Sequence, residues 1–244
     1  MDRQTLGKLI RHPLRTARNV VAKLIVGPFK YGRGKDYDAE GYWSDRLSHH
    51  GLSLEGAGDE GLSEEENRQA YEAALGTLNR ILEDEGIAIR GAEVLEIGVG
   101  TGFYTAWLAS VGVARYLGID ITETLLPDLR RRFPAFEFLK RDVTTDPVEG
   151  TFDRVFMMDV VEHIVTAEKL RQAMETVHDC LVPGGVFVLS GVRRQAKRNL
   201  FYDRSWTCED IVNAFPGGRL IRRVPYRGND LLLVRREPGG GEDP

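Results

Sequence analysis

The stretch with the clearest chemical meaning is Val94-Leu95-Glu96-Ile97-Gly98-Val99-Gly100-Thr101-Gly102, an apolar run that carries one acid and closes on three glycines. Glycines let a backbone pass close to a ligand with no Cβ in the way, and a helix that starts just after the loop offers unpaired amides. A nucleotide-like ligand fits that chemistry. The spacing is G-x-G-x-G, whereas the dinucleotide fingerprint is G-x-G-x-x-G, which weakens a pyrophosphate reading. Gly118-Ile119-Asp120 places an acid at the end of the next apolar run, where a carboxylate can accept both hydroxyls of a ribose; a solvated strand-end Asp is the bland alternative. Arg141-Asp142-Val143 ends a third run, and Asp142 there either meets the amino group of an adenine or caps its own turn. In Met157-Met158-Asp159-Val160-Val161-Glu162-His163-Ile164 three titratable groups gather. His163 suits a hydroxyl proton acceptor, since a free imidazole titrates near pH 6.5, or it merely orders the loop. If the turn is helical, Asp159, Glu162 and His163 at i, i+3 and i+4 share a face and offer two carboxylates and an imidazole to a divalent cation, Mg2+ or Zn2+.

In this order the motifs resemble those of the class I S-adenosylmethionine-dependent methyltransferases. VLEIGVGTG matches the glycine-rich first motif, GID the ribose-binding acid, RDV the adenine-edge motif, FDRVFMMDVVEHI the fourth-strand motif and LVPGGVFVLS the turn and strand after it. The likeness covers about residues 90 to 236. It implies S-adenosyl-L-methionine as cofactor, with Gly98, Gly100, Thr101 and Gly102 against its methionine part. Asp120 and Ile121 would lie at the ribose, Asp142 and Val143 at the adenine, and Met158 and Asp159 near the sulfonium. Glu96 would sit beneath the loop and order it through backbone amides. The DVVEH run is similar to the E-x-x-E-H run of the ubiquinone-pathway O-methyltransferases, with Asp159 in place of the first Glu, which implies a cation near the substrate. Upstream, Tyr42-Trp43-x-x-Arg46 resembles the lid of small-molecule enzymes, where an aromatic covers the cofactor and an Arg pairs with its carboxylate. Trp43 as plain core is the alternative.

These residues need strands and helices to place them. Apolar runs at 92–97, 116–120, 136–140, 152–158 and 186–190 alternate with helical patterns at 104–109, 125–133 and 167–181. That is the β-α-β-α signature of a parallel sheet covered on both faces. Runs at 220–225 and 230–236, joined by Tyr226-Arg227-Gly228-Asn229, predict an antiparallel hairpin. The expected fold is α/β: a Rossmann-like, seven-stranded, mostly parallel sheet with helices on both faces and an antiparallel terminal hairpin strand. Upstream, Ser63-Glu64-Glu65-Glu66 predicts a capping box opening a helix that runs to about Glu85. Residues 37–62 read as an irregular arm with one short helix around Tyr42 to Leu47. His49 and His50 stand there as minor candidates for a substrate pocket. Pro13 to Ile25 reads as a basic amphipathic helix stopped by Gly27-Pro28, with 29–36 as a linker. The expected units are thus 1–36 helix and linker, 37–89 arm and helix, 90–236 catalytic core and 237–244 a disordered tail.

The 244 residues are 42% hydrophobic and 29% charged with 27 Gly and 10 Pro, which excludes collagenous and disordered chains. Two cysteines exclude a disulfide framework and make a reducing, cytoplasmic setting the default. The formal charge of −4 hides nine Lys/Arg against Asp2 alone in residues 1–35. That basic segment suits the inner membrane surface, a second copy of the chain, or packing on the body. Residues 191–216 should help choose the acceptor: Arg193, Arg194, Lys197 and Arg198, then Phe201, Tyr202 and Trp206, suit an anionic or sugar-bearing molecule or form a solvated basic loop. The leading expectation is methylation of a small molecule at a hydroxyl oxygen: a sugar, phenolic, polyketide or quinone-type metabolite. A carboxylate/His cluster fits hydroxyl deprotonation, and the sequence shows no separate nucleic-acid-binding domain. The alternative is an RNA or protein methyltransferase docking through the basic segment.

Overall fold

Strand-forming runs become strands because their Val, Ile, Leu and Phe side chains fill both faces of one sheet. The computed structural model describes residues 22–194 and 199–238. The strands are β1 (Glu93–Ile97), β2 (Arg115–Asp120), β3 (Glu137–Lys140), β4 (Phe152–Met157), β5 (Leu181–Val192), β6 (Gly218–Tyr226) and β7 (Asn229–Arg236), in the order β3-β2-β1-β4-β5-β7-β6. The β1–β2, β1–β4, β2–β3 and β4–β5 pairings are parallel, and β7 runs antiparallel to both β5 and β6. The expected fold class is therefore the observed one, although β5 begins at Leu181, five residues before the apolar run at Val186.

Side chains alternate between the faces with the two-residue period of a strand. Val94, Phe156, Val188 and Leu233 enter one core, with Tyr71, Leu78 and Ile81 of α4 (Glu64–Asp84), Tyr104 and Leu108 of α5 (Phe103–Val111) and Leu126 and Leu129 of α6 (Leu126–Arg132). Leu95, Val155, Phe187 and Leu232 enter the other, with Leu170, Met174 and Val177 of α7 (Ala167–Cys180) and Ile211 of α8 (Cys208–Ala214). The predicted capping box is present at α4, where the Ser63 amide donates to Glu66 and the Glu66 amide to the Ser63 hydroxyl. Since α4 packs on the same face of the sheet as α5, the arm's second half shares the sheet's core.

Three expectations for the N-terminal region are corrected. Most of the predicted basic helix, and Lys197, Arg198 and most of the tail, lie outside the described residues. Within them, Gly27-Pro28 does not stop the chain: a π-helical turn at Ala22–Val26 passes into α1 (Gly27–Tyr31), with Pro28 in its first turn, where no amide is needed. The linker at 29–36 is structured too, for Tyr31 packs with Tyr37, Phe201 and Tyr202 in a third, aromatic cluster. The arm is also more regular than its glycines suggest. Asp38 caps α2 (Ala39–His50) by accepting from the Gly41 amide at 2.8 Å, and a short α3 (Leu54–Ala57) follows. Among the described residues no helix is long and apolar enough to cross a membrane.

Candidate functional site

The sheet reverses its winding between β1 and β4, and in open α/β sheets ligands bind outside the carboxyl ends of strands at such a point. A cavity opens there, with about 1120 Å3 of empty space when its open, solvent-filled mouth is counted. The loop after β1 forms one wall. Gly98 and Gly102 both have φ of +77°, a region that L side chains avoid. A Cβ on Gly98 would come within 2.3 Å of Val160, and one on Gly102 within 2.5 Å of Leu129. Backbone at Gly98 is thus tightly enclosed on one side and faces the cavity on the other, whereas Gly102, expected against the ligand, lies off this wall and instead starts α5 packed against Leu129. Gly100 and Thr101 line the same wall.

Two buried acids hold the loop. Asp120, at the end of β2, accepts from the Gly100 amide at 3.1 Å and the Thr122 amide at 3.0 Å. Burial raises its pKa, and these amides oppose the rise. Its carboxyl lies on the cavity wall, with Ile121 beside it, placed to receive hydroxyls from a ligand. Glu96 corrects the expectation of backbone amides: its partners are the hydroxyls of Thr105 (2.9 Å) and Tyr116 (2.6 Å), which tie β1 to α5 and β2. Burial pushes Glu96 up to about 7 despite those donors. At the end of β3, Asp142 caps its turn by accepting from the Thr144 amide (2.9 Å) and hydroxyl (2.7 Å). Asp142 and Val143 line the cavity as well, so the turn-capping role and a wall position coexist.

The cluster after β4 is taken apart by the backbone. Asp159 has φ of +56°, so only Val161–His163 forms a helical turn and the supposed shared face does not exist. Asp159 accepts from the Ser190 hydroxyl at 2.7 Å and pairs with Arg227 from the β6–β7 turn. Glu162 turns away from the cavity toward Gly191; its Oε2 is buried without a hydrogen-bond partner, and burial followed by the nearby Asp159 charge pushes it up to about 8. The candidate Asp159/Glu162/His163 cation site is therefore corrected: no group of three or more His, Cys, Asp or Glu among the described residues is arranged to hold a metal ion. His163 lines the cavity. Its Nδ1 lies 2.8 Å from the Tyr202 carbonyl, which only accepts, so Nδ1 carries the proton and Nε2 the lone pair. Burial lowers its pKa to about 4.

The arm supplies the roof. Trp43 lines the cavity and meets the His163 ring edge-on, with centroids 4.8 Å apart. Arg46 is elsewhere: its guanidinium donates to Tyr42 and the Gly58 carbonyl and stacks on Trp43. His49 and His50 are not on the wall, and Phe201, Tyr202 and Trp206 are buried in the fold. Arg193 pairs with Asp203 and Arg194 with Asp230, so the basic residues after β5 hold the hairpin and its neighbouring loop together. Sequence reasoning missed Tyr37, Tyr71, Phe103, Tyr104 and Lys169 on the wall. For Tyr71 a signal existed, since it lies on the apolar face of a helix that opens with a capping box.

Comparison with known proteins follows the same geometry. Residues 94–185 match the family model described as a methyltransferase domain. An uncharacterized methyltransferase of Synechocystis is 32% identical over 169 residues, 62% of this chain and 78% of that protein. The chain belongs to the class I S-adenosylmethionine-dependent methyltransferases. A ubiquinone biosynthesis O-methyltransferase of Pseudomonas aeruginosa is 28% identical over 162 residues, 64% of this methyltransferase and 67% of that protein. A ribosomal protein L11 methyltransferase of Syntrophotalea carbinolica is 35% identical over 127 residues, but this methyltransferase spans only 39% of its length. Among solved structures, magnesium protoporphyrin IX methyltransferase from Synechocystis PCC 6803 with bound SAH superposes with a TM-score of 0.62 at 17% identity, covering 81% of this methyltransferase and 98% of that chain. S-adenosylmethionine is the cofactor this family fold serves, and the enclosed glycine loop beside a buried, amide-held Asp120 fits it.

Proposed function

We propose that this methyltransferase transfers a methyl group to a hydroxyl oxygen of a small, largely apolar acceptor of phenolic or quinone type, with His163 accepting the hydroxyl proton. The observation that carries the reading is the orientation of His163: unprotonated at neutral pH, its Nδ1–H fixed by the Tyr202 carbonyl, its ring on the wall between Asp159 and the arm. The bound cofactor supplies an electrophilic methyl on a sulfonium, so the protein's work is alignment, exclusion of water and proton removal. Gly98, Gly100 and Thr101 hold the methionine part, with Gly102 starting α5 behind them, Asp120 and Ile121 hold the ribose, and Asp142 and Val143 the adenine; Glu96 ties β1 to α5 and β2 beneath the site. Met158 and Asp159 flank the reacting end. Trp43 covers it, while Arg46 acts by holding Trp43. Tyr37, Tyr71, Phe103, Tyr104, Val160 and Val165 give the remaining wall an aromatic and aliphatic character that favours a planar apolar acceptor over a sugar. An imidazole of low basicity also suits the more acidic hydroxyl of a phenol. Relationship to an O-methyltransferase of ubiquinone biosynthesis supports the same acceptor class.

Incubation with S-adenosylmethionine and a panel of phenols, followed by mass spectrometry for a +14 Da product, tests the reading. His163→Gln should lower kcat by about 10²- to 10⁴-fold, the usual contribution of a general base. S-adenosylhomocysteine affinity by calorimetry should stay within about twofold of wild type, because the cofactor wall is untouched. The kcat/KM profile should show no His163 limb between about pH 6 and 8, since the free enzyme's ring titrates near 4. An unchanged kcat in His163→Gln, or methyl transfer confined to RNA or protein, would overturn the proposal.

A further inference from the structure

Among the described residues, large apolar side chains left in water are rare and not scattered. Leu24, Ile25, Val26 and Phe29 are four of the five that stand more than a third exposed among the described residues, and Phe29 is 96% exposed. All four belong to the helical segment 22–31, in which Ile25 and Phe29 are one turn apart and so project on the same side. Beside them runs a groove lined by Leu24, Pro28, Arg33, Val165, Phe201 and Arg204. Val165 lies on the wall of this groove and of the active-site cavity alike. The segment is anchored, for Tyr31 stacks on Phe201 with ring centroids 6.1 Å apart and bonds to Asp45 at 2.7 Å. An exposed Phe and three exposed aliphatic residues on an anchored, basic segment demand an apolar covering of some kind.

We propose that segment 22–31 and its groove form a docking surface for an anionic lipid bilayer. Charge selects this occupant. Among the described residues Lys30, Arg33 and Lys35 lie on or just after the segment, within a sequence of nine Lys/Arg and one acid over residues 1–35, so a second copy seated on the same surface would set like charge against like, while anionic headgroups complement it. Lys30 is paired with exposed Asp45 at 2.6 Å; Arg33 stands in the groove where headgroups would lie, while Arg204 is held there by the Val165 carbonyl and the Trp206 ring. Phosphates of RNA would meet the cations too, but they leave Leu24, Ile25 and Val26 in water; an acyl interface buries them. Docked in this way, the groove sets the cavity, which shares Val165 with it, beside the membrane, where an apolar acceptor is concentrated. Docking itself depends on neither the acceptor nor the role of His163.

Co-sedimentation of the full chain with phosphatidylcholine vesicles, with and without 30% phosphatidylglycerol, tests the surface. Binding is expected only with the anionic lipid, weakening as salt rises from 50 to 500 mM because the headgroup attraction is screened. The double variant Ile25→Ser/Phe29→Ser should bind at least tenfold more weakly while keeping the wild-type melting temperature, S-adenosylhomocysteine affinity and turnover of a water-soluble phenol. No binding to phosphatidylglycerol vesicles at 50 mM salt, binding that the double variant leaves unchanged, or a wild-type dimer by light scattering that the variant converts to monomer would each overturn the proposal. Failure of the phenol assay alone would count against the acceptor reading and leave vesicle binding to decide the docking surface.

Discussion

A buried carboxyl group with one oxygen left without a hydrogen-bond partner is held neutral, and Glu162 is such a group, with the Asp159 charge close by to reinforce the effect. Its ordinary pKa of 4.5 applies to the unfolded chain and about 8 to the folded one, so between those values the folded state binds more protons. Stability from this group is then present at low pH and is lost as pH rises from about 4.5 through 8. Glu162→Gln removes the titration while preserving shape. Urea unfolding should find the variant and wild type similar near pH 5 and the variant more stable at pH 8, by on the order of 2 kcal/mol. His163 works in the opposite sense, its neutral form favouring the fold above pH 6.5 and losing that advantage as pH falls toward 4. Being common to both proteins, it cancels in the comparison. A difference that does not grow with pH would mean that Glu162 is charged in the fold. At this scale the sequence spoke clearly where a residue type serves one purpose: three glycines before a helix, an acid at a strand end. It spoke poorly at Asp159-Val160-Val161-Glu162-His163, because a shared helical face requires helical dihedrals throughout, and a positive φ at Asp159 carries no signature beyond the tolerance of Asp for that region.

Glycine has opposite meanings in the loop after β1 and in α4, and the elements decide which applies. Gly98 combines φ of +77° with a neighbour 2.3 Å from any added Cβ, so Gly98→Ala must strain the loop and displace Val160 from the cavity wall. The left-handed conformation alone costs a non-glycine residue about 1–2 kcal/mol. Thermal unfolding should show that loss, and titration with S-adenosylhomocysteine an affinity at least tenfold lower. Gly76 lies exposed within α4 with open space around its missing Cβ, so Gly76→Ala should stabilise the protein by about 0.5–1 kcal/mol and leave ligand affinity unchanged. If both substitutions destabilise equally, the loop is not special. The alternation of strands and helices was legible for the same reason that these signs differ: apolar periodicity and caps are local. The β7 position beside β5 carries no signal in the hairpin's own residues, since strand order is decided by contacts far apart in sequence. In the arm, glycines at 51, 56 and 58 suggested irregularity; the cap from Asp38 and packing of Tyr31, Tyr37 and Tyr42 on Phe201 and Tyr202 give it helices instead.

For the whole molecule, cofactor binding and folding are one linked equilibrium, because the cavity wall is assembled from residues 37 to 169 and exists only in the folded chain. A ligand at a hundred times its Kd adds about 2.7 kcal/mol of stability. For a domain of this size roughly 2–4 °C accompanies each kcal/mol, so saturating S-adenosylhomocysteine should raise the melting temperature by about 5–10 °C. Asp120 is the group through which this linkage should be most visible. Its carboxylate is buried, braced by the Gly100 and Thr122 amides and open to the cavity, so on the proposed reading Asp120→Ala takes a hydroxyl acceptor from the ligand, and it loosens the glycine loop from β2. Two effects separate cleanly in a melting experiment. The loop effect lowers the melting temperature of the unliganded variant; the binding effect reduces its upward shift with ligand to under about 2 °C at a concentration that shifts wild type fully. Asp120→Asn, which keeps one acceptor oxygen, should recover part of the shift. A full ligand shift in Asp120→Ala would place the ribose elsewhere, and with it the direction in which the methyl group faces His163.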